Sequence, residues 1–398
     1  MKHLFTTLIC LMLIASCQRN KTSFSTDDYL HVIDLSKTEF EDIKLSEVFA
    51  SVTPIVLETT KESLIGRTSK VIVTSEYIIV LDRTIAKALF LFRKDGTFLH
   101  KFGRIGNGPG EYSLISDFCC DNATGTIYTL DFHSNNVNMY DIHTGSFLKS
   151  IKLKNDNGFS LRIYYQMGEL YTDLSNFTNK GGHLLNRRNQ STGEIEEAWF
   201  DIETYSKNVD YINGNLFLFG NGNSFKFSTY FMDGIMSVEK NKITPFLTFT
   251  PEYTLDKKVV QSIDFNDFSD MNEKLTKTGK VYGIRAYFEH KDVSFIEFSL
   301  GGLGMLTLIY NQKTKDFQVA NTFFNDFFYK ESNLYSSPLF IAHDDNGMYA
   351  EFGYNEINIL KKHLAKDLIS DNFKSTAMDL VNLEEDANPI LLYYEFKD

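Results

Sequence analysis

The chain is poor in the residues on which most covalent and metal chemistry depends. It has four cysteines and nine histidines in 398 residues. No CxxC, HxH or HExxH spacing gathers them into a metal or redox pattern. No GxSxG nucleophile elbow occurs. The Gly301-Gly302-Leu303-Gly304 run lies between strand-like segments, so it reads as a bulged turn and not as a phosphate cradle before a helix. Asp344-Asp345-Asn346-Gly347 lacks the alternating acids and closing Glu of a calcium loop, and reads as a plain hairpin turn. Neither a metal nor another cofactor is expected. Positive charge is also in deficit: 40 Lys and Arg against 52 Asp and Glu leave a net charge of −12. That balance argues against a nucleic-acid backbone as partner. Proline (6) and tryptophan (1) are scarce, and the lone Trp199 leaves any sugar-stacking platform to tyrosine.

What the chain has in quantity is Phe and Tyr, 35 and 21 residues respectively, which suit the faces of sheets. The stretch Lys101–Leu153 organises the rest. It begins with a Gly-rich loop, Gly103–Tyr112, and continues in four short extended segments. Three of these alternate apolar and polar residues, as half-buried strands do. The turns fall at Asp121–Gly125, around Ser134-Asn135-Asn136, and at His143-Thr144-Gly145. Four antiparallel strands entered through a glycine loop make one blade of a β-propeller. The segment before it repeats the pattern without a gap: a shift of 49 residues superposes Asp82 on Asp131, Gly96 on Gly145, Phe98 on Phe147 and Leu99 on Leu148. A repeat of that length marks a propeller blade or a solenoid unit, and the strand content selects the propeller.

Further blades are expected at residues 161–200, 206–250 (with a two-residue turn at Asn213-Gly214) and 281–324. The polar stretch Val259–Lys280 reads as a loop or short helix. A sixth blade starts at Pro338–His343 and Met348–Phe352 and resumes at Ile390–Phe396. Between them, Ile357–Glu385 is a helical insertion by the spacing of Ile359, His363, Leu364 and Leu368. That blade lacks an outer strand. Leu30–Leu35 or Thr53–Glu58 is the natural donor, so that the two chain ends close the ring. The fold class is therefore all-β, a six-bladed propeller of four-stranded antiparallel blades with a short helical insertion in the last.

The N-terminus lies outside this fold. Lys2 begins a positive n-region, and Leu4–Ala15 is an apolar run about half the length of a membrane span. Ile14-Ala15-Ser16 sets small residues before Cys17 and resembles a bacterial lipobox. That resemblance implies cleavage before Cys17 and lipid attachment to its thiol. Residues 1–16 are then a lipoprotein signal peptide, 17–28 a polar tether, and 29–398 one propeller domain. Cys119 and Cys120 remain; adjacent on one strand, they face opposite ways, so two reduced thiols are expected.

The run Pro54-Ile55-Val56-Leu57-Glu58-Thr59-Thr60-Lys61-Glu62-Ser63-Leu64-Ile65-Gly66, the loop Gly106-Asn107-Gly108-Pro109-Gly110-Glu111-Tyr112, and the terminal Asn388-Pro389-Ile390-Leu391 resemble the six-bladed β-propeller lipoproteins of Bacteroidetes. The glycine loop and its blade also resemble the NHL-repeat pattern. The resemblance spans the mature chain and implies the fold and an address in the cell envelope; it carries over no catalytic set. Gln18-Arg19-Asn20-Lys21 lacks the acidic residues that mark surface export in some members of that phylum, which favours a periplasm-facing anchor.

Candidate ligand-binding residues follow from where a propeller places its loops. Arg104, Glu111 and Tyr112 lie on the connection between two blades, Asp131 and His133 end a second strand near the same face, and Arg285 sits on an inner strand facing the channel. The competing assignments are structural: an Arg104–Glu111 ion pair, aspartates closing turns through their own backbone, and Arg285 bonded to carbonyls. The expected role is that of a lipid-anchored monomeric binding or scaffold protein that takes a glycan, peptide or envelope protein through its loop face. The alternative is a hydrolase or lyase acting on polysaccharide or peptide, with carboxylates such as Glu111 and Asp131 moving protons.

Overall fold

The computed structural model describes residues 24–155, 158–174, 182–201, 217–221, 224–256, 258–259, 268–331, 337–384 and 386–397. Cys17, the signal segment and the Asn213-Gly214 turn lie outside them.

Six sheets form the ring. Blade 1 runs Lys70–Val73, Tyr77–Asp82, Ala88–Arg93 and Phe98–Lys101 from the channel outward. Blade 2 runs Ile115–Asp121, Thr126–Asp131, Asn136–Asp141 and Phe147–Lys152; blade 3 runs Ile163–Gln166, Glu169–Leu174, His183–Arg188 and Ile195–Asp201. Blade 4 contains Phe217–Asn221, Ser224–Phe227, Gly234–Glu239 and Lys242–Phe249, and blade 5 Val281–His290, Val293–Leu300, Gly304–Asn311 and Phe317–Phe324. Blade 6 has Phe340–His343, Gly347–Phe352 and Ile390–Phe396, with Phe49–Val56 outermost.

The N-terminal segment visits three blades in turn. His31–Ile33 adds a parallel fifth strand to blade 4, and Phe40–Lys44 does the same for blade 5. Phe49–Val56 then closes blade 6, antiparallel to Ile390–Phe396 in the register Val56↔Ile390 to Phe49↔Phe396. Of the two closing donors expected from sequence, the Thr53–Glu58 segment therefore supplies the closure. The Leu30–Leu35 segment covers a different edge. Both uses cover the outer strand of a blade with a segment of the N-terminal chain.

Apolar clusters of buried residues fill the clefts between successive blades. Because each blade packs on both faces, middle strands such as Tyr77–Asp82 and Thr126–Asp131 bury almost every residue. The polar members of the alternating pattern are not on a wet face: Thr129 and Asn138 are buried with the rest. Asn138 is satisfied locally, donating to the Glu111 carbonyl (3.1 Å) and accepting from Ser150 (2.6 Å).

The insertion in blade 6 forms two helices, Tyr354–Ala365 and Lys374–Val381, which cap the blade 5–6 cleft. Its inward side is set by Leu360, Ala377 and Leu380, with Phe328 stacked on Phe373 at 3.7 Å. Ile359 is exposed instead of buried, so the apolar stripe lies one residue from the one the spacing indicates. Within Val259–Lys280, expected as a loop or short helix, a helix forms at Phe268–Thr276.

Candidate functional site in the central channel

An antiparallel four-stranded blade places its 1–2 and 3–4 hairpins at one end, and its 2–3 hairpin and interblade connection at the other. The Gly-rich loop therefore occupies the face opposite the Asp344–Asn346 and Lys94-Asp95 turns. A cavity of about 1070 Å³ opens in the channel and extends into the seam between blades 6 and 1. Its wall includes the inner strands of blades 1 and 6 along their length, from Thr68 to Ser75 and from Leu339 to Asn346.

The seam is built from residues far apart in the chain. Lys94 Nζ donates to Asp344 (2.5 Å) and to the Tyr349 hydroxyl (2.6 Å), and that hydroxyl in turn donates to Asp344 (2.7 Å). The ammonium also lies 5.0 Å from the centroid of the Tyr349 ring. Burial pushes the Asp344 carboxyl up, but hydrogen bonds from Lys94, Tyr349 and the Asn346 backbone outweigh it and hold the group below its ordinary value. The Asp344–Gly347 hairpin turn expected from sequence is present: the same side chain accepts from the Asn346 and Gly347 amides, each at 3.0 Å.

Neighbouring inner strands are linked in the same manner. Lys70 donates to Asp117 (2.7 Å) and to the Phe118 carbonyl (2.8 Å), while the other Asp117 oxygen accepts from the Ile163 amide (2.9 Å). Blades 1, 2 and 3 are thus joined by one carboxylate. Arg285 of blade 5 is paired with Glu297, and burial raises the Glu297 carboxyl against the opposing pull of that arginine. Burial likewise raises the Glu351 carboxyl and lowers the His343 imidazole to about 4.

Of the six residues singled out from sequence, Arg285 lines this cavity. The other five lie on the opposite face. Arg104 Nε donates to Glu111 at 2.6 Å, and Glu111 also accepts from the Gly108 amide (2.7 Å). Tyr112 is buried beneath the loop, in the apolar cluster between blades 1 and 2. Asp131 and His133 are brought together through Ser113, whose hydroxyl donates to Asp131 (2.6 Å) and lies 3.0 Å from His133 Nδ1. Asp131 also accepts from the Ser113 and Leu114 amides. Asp82 holds Gly66 and Arg67 in the same way, and Asp173 holds Leu161 and Arg162. Recurrence in three consecutive blades makes this a latch for the incoming connection.

Sequence reasoning missed Lys70, Lys94, Tyr165, Tyr349 and Glu351. Tyr165 had a readable signal, a half-exposed aromatic on the first strand of a blade. The Lys94–Asp344 contact joins residues 250 apart and had none.

Among the described residues, no helix is long and apolar enough to cross a membrane, and no group of His, Cys, Asp or Glu is placed to hold a metal ion. Cys119 is buried, Cys120 is half-buried, and both are free thiols. Burial drives the Cys119 thiol well above its ordinary value and Cys120 up to about 12, which leaves both unreactive near neutrality.

Ring, closure and channel define a six-bladed β-propeller of four-stranded antiparallel blades, two of them extended by a parallel fifth strand. Residues 30–395 match the family described as Domain of unknown function (DUF4934), and the chain belongs to it. No curated protein sequence matches the chain. A crystallised protein of Bacteroides fragilis NCTC 9343, whose name marks it as exported, is similar in fold: TM-score 0.65 at 18% identity, over 91% of this chain and 99% of that one. A member of the DUF4221 family from Bacteroides vulgatus aligns with a TM-score of 0.48 at 8% identity, over 88% of this chain and 97% of that one.

Proposed function

We propose that the protein is an exported, lipid-anchored binding protein of the bacterial cell envelope that takes its ligand in the central channel. It is tethered through Cys17, faces the periplasm and works as a monomer. Export is supported by the apolar run before Cys17 and by the name of the similar Bacteroides fragilis protein. The observation that carries the binding reading is the cavity of about 1070 Å³, with polar groups and rings converging on it from several blades. Arg285 belongs to that site. On the loop face, Glu111 and Asp131 already hold partners within the fold, which favours the channel over the loops as the ligand site.

One observation favours the hydrolase or lyase alternative. Glu351 lines the cavity, and burial raises its pKa, as a proton-donating carboxyl requires.

The test is a thermal-shift screen of the mature protein against envelope glycans, peptidoglycan fragments and peptides. Ser75→Trp narrows the cavity from an exposed position at the end of the first strand of blade 1, and Arg104→Ala alters the opposite face. A ligand shift lost in Ser75→Trp and kept in Arg104→Ala supports the channel site. The reverse pattern moves the site to the loops. Recovery of a shortened ligand would establish turnover.

A further inference from the structure

We propose that the channel cavity is a site for neutral, hydroxyl-rich oligosaccharides; this rests on the channel-binding reading above. The first reason is charge. Three cationic side chains line the cavity, Lys70, Lys94 and Arg285, and each is already paired with a carboxylate: Asp117 at 2.7 Å, Asp344 at 2.5 Å, and Glu297. Those carboxylates are themselves fixed. Asp117 holds the Ile163 amide, Asp344 holds two amides of its own turn, and Glu297 is buried. A phosphorylated or carboxylated ligand would have to compete with a built-in anion for each cation and bring a second negative charge beside it, which costs more than the new pair returns.

The second reason is what remains for a ligand to use. The Arg285 side chain is 26% exposed and its charge is balanced by Glu297, so the guanidinium N–H groups that face the cavity suit a neutral oxygen acceptor. The hydroxyls of Thr53 and Ser75, the amide of Asn122 and the carboxyl groups of Asp95, Asp345 and Glu351 line the same space; the carboxyl groups repel an anionic ligand and accept hydrogen bonds from hydroxyls. Flat apolar surfaces accompany them. Tyr165 is half-buried and stacked on Tyr128, with ring centroids 4.6 Å apart and planes at 17°, so its ring is fixed in place. Tyr393 lies 4.8 Å from Tyr349 in the seam. Sugar rings present hydroxyls at their edges and C–H groups on their faces, and this wall offers partners for both.

The third reason is length. Sites for small molecules occupy roughly 300–1,000 Å³, and this one is at or above the upper end. The inner-strand stretch from Thr68 to Ser75 spans about 25 Å at the rise of a strand, room for a linear chain of several sugar units.

The experiment is calorimetric titration of the full mature protein in detergent with linear gluco-, manno- and xylo-oligosaccharides of increasing length. Acidic oligogalacturonates and neutral peptides serve as controls. The expected result is binding of a neutral series that tightens with chain length and keeps its affinity from low to high salt. Tyr165→Ala should weaken it about tenfold in a protein that is still folded at the titration temperature, and Ser75→Trp should abolish it. Salt-sensitive preference for the acidic series, or binding of peptides alone, overturns the ligand class; loss of that binding in Ser75→Trp would leave the channel reading standing. Failure of every neutral oligosaccharide overturns the proposal. If the controls also fail, or bind equally well to Ser75→Trp, the channel reading falls with it.

Discussion

Blades 1–3 and blades 4–6 are held by different means. Each of the first three is made from four strands consecutive in sequence, and each is latched by an aspartate at the last or last-but-one position of its second strand, which takes two successive amides of the incoming connection. The last three all borrow from the N-terminal segment, which supplies parallel fifth strands to blades 4 and 5 and the closing strand of blade 6. One half relies on contacts within about twenty residues, the other on contacts spanning most of the chain. Local latches suit blades that form early, because little loop entropy opposes them. The second half acquires its outer edges only when residues 31–56 reach it.

The latches also differ among themselves. Burial works against all three carboxylates. In Asp82 five backbone amides outweigh it and keep the group below its ordinary value, and in Asp131 the Ser113 hydroxyl and amides do the same. In Asp173 burial prevails over Arg162 and two amides, so the carboxyl is raised.

The largest effect that would break this comparison is Asp82→Ala. It leaves five amides without their acceptor in a buried position and should cost about 4 kcal/mol of unfolding free energy, read by urea denaturation. A loss below about 1 kcal/mol would show that the latch is dispensable and that both halves rest on core packing alone.

The next effect belongs to the second half. His31, in the parallel strand on blade 4, is buried, and its Nδ1 lies 2.9 Å from both the Tyr310 hydroxyl and Lys315 Nζ, an arrangement that requires an unprotonated Nδ1. Burial, with help from Lys315 and Lys226, lowers its pKa from 6.5 to about 4. The unfolded chain therefore binds the proton more readily. Stability should be full above pH 6.5, fall as pH drops toward 4, and level off below that, a loss of about 3 kcal/mol. His31→Gln should remove this term from the pH profile of unfolding. An unchanged profile would mean that the strand detaches before the imidazole titrates.

The smallest effect lies on the loop face of the first half. Arg104 is 82% exposed in its pair with Glu111, so Arg104→Ala should leave the melting temperature nearly unchanged. A large drop would make the Gly-rich loop a structural element equal to the aspartate latches.

How far the sequence could be read follows the same division. The 49-residue repeat and the turns at Asp121–Gly125 and His143–Gly145 are local, and the ring's first two blades appear where those signals fall. The strand Val281–His290 and the terminal strand Ile390–Phe396 were also legible from apolar runs. The site was far less so. Arg285 could be placed on an inner strand because strand order within a blade is regular, yet its pairing with Glu297 was not foreseen. Two motif stretches of the family resemblance acquire a physical meaning only in three dimensions. Asn388, 2% exposed, accepts from the Ile65 amide (2.8 Å) and donates to the carbonyls of Glu58 (2.9 Å) and Ser63 (2.8 Å), stitching 54–66 to 388–391 across the seam.

By itself, then, the sequence determined the number and type of repeating elements, because strand periodicity and turn chemistry act over a few residues. It also determined that the ring must close with the chain's own ends, since an unpaired outer edge is costly. Tertiary structure alone decided which N-terminal strand closes which blade, because three edges compete for the same segment. It also decided where the polar groups converge, because Lys94 meets Asp344 and Lys70 meets Asp117 only after the ring has brought their strands side by side.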